Sequence, residues 1–260
     1  MNAFALIRTL TGVAVAGFIL LPVIAVFISV SDVSPGMLLS EDVMAAVRLS
    51  LFTATLATLL IVIIGTPVAY LLARSSSPLR RFLEVIINLP MVLPPAVAGI
   101  ALLAAFGREG ILGRYLASAG ITLPFTTAAV VIAQTFVALP LYVRSARAGF
   151  AGVSRTFEGA SYTLGASEFT TFLRVSLPLA KGAIIAGVIM SWARAMGEFG
   201  ATIMFAGNFV GRTQTMPLAV YSALQVDMGK ALVLAALLIL ISFFILFAFE
   251  MIPKRRYADA

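Results

Sequence analysis

The sequence predicts an all-α integral membrane protein, one transmembrane domain over 1–260 with six helical spans, and three observations carry that prediction. Hydrophobic residues fill 61% of the 260 positions and charged residues only 11%, where ordinary soluble domains hold roughly a quarter charged. The mean hydropathy is +1.08. Apolar runs of about 20 residues or more, the length a helix needs to cross a bilayer, occur at about 10–31, 46–73, 84–106, 124–148, 180–206 and 229–252. The absence of Cys and His excludes disulfides, thiolate chemistry, imidazole metal ligands and His-based nucleophilic triads. The formal charge of +7 comes from Lys and Arg scattered at the ends of apolar runs. Membrane proteins anchor and orient themselves this way, so nucleic acid is not the expected partner.

The first run is too long for a removable signal peptide and has no clear small-residue cleavage site before Asp32. The second runs into "RSSSPLRR" (74–81), a polar connection. The third is irregular, with Asn88, Pro90, Pro94 and Pro95 close together. Proline removes backbone donors and kinks a helix, and carbonyls freed at membrane depth must be buried in protein or line a wet cavity. The break belongs either to a gate or to the cytoplasmic membrane boundary, before the regular helix begins. Gln134 and Pro140 in the fourth run are weaker versions of the same signal. The fifth run is rich in small residues, among them Gly182, Ala186, Gly187, Gly197 and Gly200, which let membrane helices approach closely. The sixth ends before Lys254-Arg255-Arg256.

Charge sets the direction of the chain. Arg8, Arg74, Arg80, Arg81, Arg144, Arg147, Arg155, Arg174 and the Lys254-Arg255-Arg256 tail fall on one side. The opposite connections hold a balanced set: Asp32, Glu41, Asp42, Arg108, Glu109, Arg114, Arg212 and Asp227. The positive-inside rule places both termini in the cytoplasm.

Two charged residues stand inside the fifth run, in "MSWARAMGEFGATIMFAG" (190–207). With the span starting near 180, Arg194 lies about 20 Å in at 1.5 Å per residue. An Arg at the membrane centre costs about 2.5–3.5 kcal/mol on insertion scales and so faces protein or a wet cavity. Glu198 is four residues on, hence on the same helix face, so the two can neutralise one another without another chain. The pair is expected to position this helix beside a pathway. A direct contact with a passing anion and an intersubunit contact stay open.

The longest inner connection is "RTFEGASYTLGASEFTTFLRVSLPLAKG" (155–182). A short helix is expected from Thr156 to Leu164, stopped by Gly165, which adopts a left-handed backbone without steric cost. A second is expected from Ser167 as N-cap. The pair is either an interfacial anchor or a knob offered to another protein.

The spacing of this loop resembles the EAA loop of ABC importer permeases: Glu-Ala-Ala, three residues, Gly, nine residues, Ile, one residue, Leu-Pro. Ala160, Ser161, Gly165, Val175, Leu177 and Pro178 fall in register. Gly159 stands where the family has Glu, and Glu158 lies one residue earlier. The resemblance implies a coupling element over about 153–178, between spans four and five, that docks on a separate cytoplasmic ATPase. It also implies that ATP and Mg bind on that partner, since no G-x-x-x-x-G-K-[ST] occurs in this chain. No catalytic residue, metal site or cofactor is expected here.

"LPMVLPPAVAGIALLAAFG" (89–107), "SWARAMGEFGATIMFAGN" (191–208) and "GRTQTMPLAVY" (211–221) are similar to molybdate/tungstate permease subunits. Sulfate permeases share the Arg-x-x-Gly-Glu-Phe-Gly stretch. What the resemblance implies is alternating-access import of a tetrahedral oxyanion across the cytoplasmic membrane. The implied partners are a second copy of the chain, an ATPase dimer and an external oxyanion-binding protein, with lipid around them. Pro94, Pro95, Arg194 and Glu198 are the candidate path or gate residues. A sulfate/thiosulfate permease is the nearest rival; an ion-gradient transporter would show an inverted repeat, which the sequence lacks.

Overall fold

The computed structural model describes residues 3–30, 36–37 and 40–251. Asp32 and the Lys254-Arg255-Arg256 tail, both used in the orientation argument, lie outside the described residues. The helices follow in the order α1 (Ala3–Val30), α2 (Glu41–Arg74), α3 (Pro78–Val92), α4 (Pro95–Phe106), α5 (Gly113–Ser118), α6 (Thr127–Gly152), α7 (Arg155–Thr163) and α8 (Glu168–Thr171). A π-helical turn (Phe172–Ser176) then leads into α9 (Leu177–Met196), α10 (Gly200–Ala206), α11 (Met216–Leu224) and α12 (Met228–Glu250).

Among the described residues, five helices are long and apolar enough to cross a membrane; α3 with α4 makes a sixth crossing if the bent pair counts as one. The pair bends by 117°. The cause is local. Pro94 and Pro95 both lack an N–H, and a proline pushes the residue before it into extended backbone. Leu93 (ψ 132°) and Pro94 (ψ 136°) are both extended.

The centre of the fold is the trio α2, α6 and α9, with Tyr142 of α6 fully buried between them. Its hydroxyl lies 2.5 Å from Thr66 Oγ1 on α2. Gly65 of α2 and Gly187 of α9 flank its ring. A Cβ at these positions would stand 2.8 Å and 3.1 Å from ring atoms. Absent side chains thus let three helices close on one aromatic ring, as membrane packing favours. A second apolar cluster joins α4 (Ala98, Leu102), α6 (Val130, Ala133, Val137) and α10 (Ala201, Phe205). α1 packs mainly on α12, and its apolar window has no buried residue, which fits a helix that is apolar nearly all round and turned to lipid.

One expectation changes. The fifth run is not a continuous helix over 180–206: α9 stops at Met196, Gly197 caps it, and α10 restarts at Gly200. Two glycines three positions apart, Gly197 and Gly200, weaken the helix, and the Glu198 carboxylate takes the Ala201 backbone donor of the next turn.

Candidate functional site

Two places gather the residues singled out by the sequence: the 153–178 loop and the paired breaks of α3–α4 and α9–α10.

In the loop, local chemistry sets the backbone. Ser154 caps α7, accepting from the Thr156 N–H, and Ser167 caps α8, accepting from the Thr170 N–H at 3.2 Å. Such caps satisfy donors a helix leaves orphaned. Gly165 sits at φ +81°, the left-handed stop expected of it. α7 runs over Arg155–Thr163, one residue offset from the expected 156–164.

Glu158 turns inward. Its Oε1 accepts from Arg74 Nη2 at 2.6 Å, Arg74 Nε at 3.0 Å and Ser176 Oγ at 2.5 Å. Arg74 Nη2 also donates to the Val153 carbonyl at 3.3 Å. Side-chain exposures are 7% for Glu158 and 17% for Arg74. Tyr70, Phe150 and Phe172 pack their rings beneath, with centroids 5.0–5.9 Å apart. Ser161 Oγ bonds Thr171 Oγ1 at 2.9 Å, holding α7 to α8. The loop is therefore fixed to the end of α2, the end of α6 and the start of α9. Leu177 and Pro178 form the first turn of α9. Gly159, where the resemblance wants an acid, faces open space, and Ala160 is exposed beside it. Phe157, Leu164 and Phe169 stand out into solvent.

The second place is deeper. Gly200 lies against Pro95, where an added Cβ would come within 2.4 Å of the proline Cβ. Gly99 lies equally close to Met204. The two helix breaks thus rest on each other. Beside them is a cavity of about 230 Å³, walled by Met91, Pro95, Ala98, Val137, Leu141 and Arg194 among others. Pro94 stands exposed at the bend.

Arg194 Nη1 meets Glu198 Oε2 at 2.8 Å, as the four-residue spacing predicts. The geometry differs from the expectation, because Glu198 lies beyond the helix end. Its Oε1 accepts from the Ala201 N–H at 2.7 Å, at the start of α10. Arg194 occupies the last turn of α9, so each charge sits at the helix end whose dipole favours it. Glu198 is 1% exposed and Arg194 34%: the acid is sealed and the cation looks into the cavity. Gln134 is fully buried on α6, its amide without a hydrogen-bond partner among the described residues. No group of three or more His, Cys, Asp or Glu among the described residues could hold a metal.

Sequence reasoning missed Arg74 and Ser176 as partners of Glu158. The signal was available only as an unexplained basic residue at the end of a span and a hydroxyl before Leu177-Pro178.

Comparison with known proteins gives a consistent picture. Residues 65–256 match the family described as binding-protein-dependent transport system inner membrane component. The molybdenum transport system permease protein ModB of Mycobacterium tuberculosis is 43% identical over 88% of this chain and 88% of its own length. ModB of Escherichia coli is 39% identical over 75% of this chain and 86% of its own. Among solved structures, a chain of a bacterial alginate ABC transporter in complex with its pentasaccharide-bound periplasmic protein superposes with a TM-score of 0.75. At 13% identity, it covers 97% of this chain and 94% of that one, and shows the fold alone.

Proposed function

The chain belongs to the binding-protein-dependent transport system inner membrane component family, and from that premise we propose that it is the membrane permease subunit of an ATP-driven importer of molybdate. Likeness to molybdenum permeases over most of both chains carries the substrate reading. The physical chemistry agrees: a half-exposed guanidinium at the wall of a cavity between two broken helices is suited to a tetrahedral dianion.

In this reading the chain works as a homodimer above a cytoplasmic ATPase dimer that binds ATP and Mg, and an external binding protein delivers the anion. The bent α3–α4 pair is one span, making six, with both termini cytoplasmic. The loop 153–178 is the coupling element. Phe157, Leu164 and Phe169 are the apolar knob that enters the ATPase, and Glu158 is the bolt that carries its displacement into α2 and α9. Closure of the ATPase on ATP draws the two loops together and opens the pathway outward; hydrolysis restores the inward-facing state.

Glu198 moderates the cavity. A bare arginine would hold a dianion too well, and conduction needs binding weak enough to leave. The buried carboxylate shares the guanidinium charge, so the anion is attracted without being trapped. No bond is made or broken in this chain.

The test is uptake of labelled molybdate in proteoliposomes holding this subunit, its ATPase and its binding protein. ATP-dependent uptake that persists under excess sulfate is expected. Uptake abolished by sulfate would move the assignment to a sulfate carrier, and uptake without ATP would refute the importer reading.

A further inference from the structure

The cavity at Arg194 is walled by Met91 of α3 and by Val137 and Leu141 of α6. Its wall residue Met91 also touches Arg144, whose Nη1 lies 3.8 Å from the Met91 sulfur. No carboxylate among the described residues pairs with Arg144, although Arg80, Arg147 and Arg194 each have one. Arg144 follows the cavity residue Leu141 by three positions, hence on the same side of α6. Three positions further, Arg147 pairs with Glu84 of α3, and Arg80 approaches the same carboxylate at 4.0 Å. Arg80 Nη1 is anchored on the Ser75 carbonyl at 2.8 Å. A line of guanidinium groups thus leads from the cavity to the basic, cytoplasmic end of the bundle.

An unpaired arginine on a spanning helix is costly unless it faces water or meets an anion. Arg144 does not help the fold through an ion pair, and its one described side-chain partner is a thioether. We propose that Arg144 is the second station of the oxyanion's release route: the anion passes from Arg194 to Arg144 and then to the Arg147–Glu84–Arg80 cluster at the inner mouth. This rests on the importer reading above. Each station is weak by construction. Arg144 offers one cation, and at the mouth Glu84 offsets the arginines around it, so the anion moves on. The phosphate of an anionic phospholipid has the same chemistry as the cargo, and the test separates the two.

The experiment uses the complete transporter in proteoliposomes, comparing wild type with Arg144→Gln, Arg144→Lys and the outer-connection control Arg114→Gln. For Arg144→Gln, maximal molybdate uptake should fall about tenfold with the half-saturating external concentration unchanged, the signature of a lost step after binding. ATP hydrolysis stimulated by the loaded binding protein should persist, Arg144→Lys should recover at least half the rate, and Arg114→Gln should match wild type. Wild-type rates in Arg144→Gln overturn the proposal, as does loss of uptake and ATP hydrolysis in step, which marks a structural role. Repeating the series in neutral phosphatidylcholine and with added phosphatidylglycerol gives the lipid arm: a defect confined to the anionic membrane assigns Arg144 to a headgroup and overturns the route. Wild type carrying neither molybdate nor sulfate overturns the importer reading itself, and the route falls with it.

Discussion

Two ion pairs in this protein use the same chemistry for different ends. Arg74 and Glu158 are both closed off, at 17% and 7% exposure, and the carboxylate oxygen gathers two further donors' worth of contacts from Arg74 and Ser176. Arg194 and Glu198 are unequal, 34% against 1%. The first pair joins the end of α2, α7 and the turn that leads into α9. The second seals its acid against the start of α10 and leaves its cation looking into a cavity. A pair saturated on both sides fixes position; a pair saturated on one side keeps a charge in reserve. Force transmission needs the former and passage of an anion the latter.

That contrast can be broken by truncating each pair in turn. Arg194→Ala leaves a sealed carboxylate without a counter-ion, and the loss should be about 3–5 kcal/mol, measured as the melting of the purified complex. Removing the acid as well, in Arg194→Ala/Glu198→Ala, should return most of it. If the single variant melts like wild type, Glu198 is not held by its arginine and the contrast fails. Glu158→Ala should cost less, about 2–3 kcal/mol, because Arg74 keeps the Val153 carbonyl as a partner. Its mark is functional: ATP hydrolysis continues while uptake collapses. Normal uptake in that variant would remove the bolt from the mechanism.

Two smaller changes sharpen the loop side. Gly165→Val forces a β-branched residue to φ +81° and should cost about 1–2 kcal/mol with reduced uptake, whereas Gly165→Asn should retain most function, since Asn tolerates this backbone. Equal damage from both would show that space, not backbone, governs the position. Ser167→Ala removes one cap and should cost about 1 kcal/mol with uptake within twofold of wild type.

The loop was legible in the sequence wherever one residue governs its own backbone. Gly165 stops α7 and Ser167 opens α8 because left-handed φ and capping are decided within a few residues. Pro94-Pro95 announced the α3–α4 break for the same reason. Glu158–Arg74 was illegible, since the partners are far apart in the chain and only the packing of Tyr70, Phe150 and Phe172 brings them together. The α9–α10 break was hidden differently. Gly197 and Gly200 could equally serve close packing, and only the fold brings Pro95 against Gly200 where the helix restarts.

The helical stretch Glu168–Met196 is continuous, α8 passing through the π-helical turn into α9. At 1.5 Å per residue it is a shaft of about 43 Å, with the 153–178 loop at one end and Arg194 at the other. The helical backbone is unbroken through the π-helical turn, so under the proposed mechanism a turn at Glu168 would reach the cavity as rotation. The helix therefore sets a phase as well as a distance. A single residue inserted near Gly182, changing no contact of either ion pair directly, would turn Arg194 by about 100° relative to the loop and aim its charge away from the cavity.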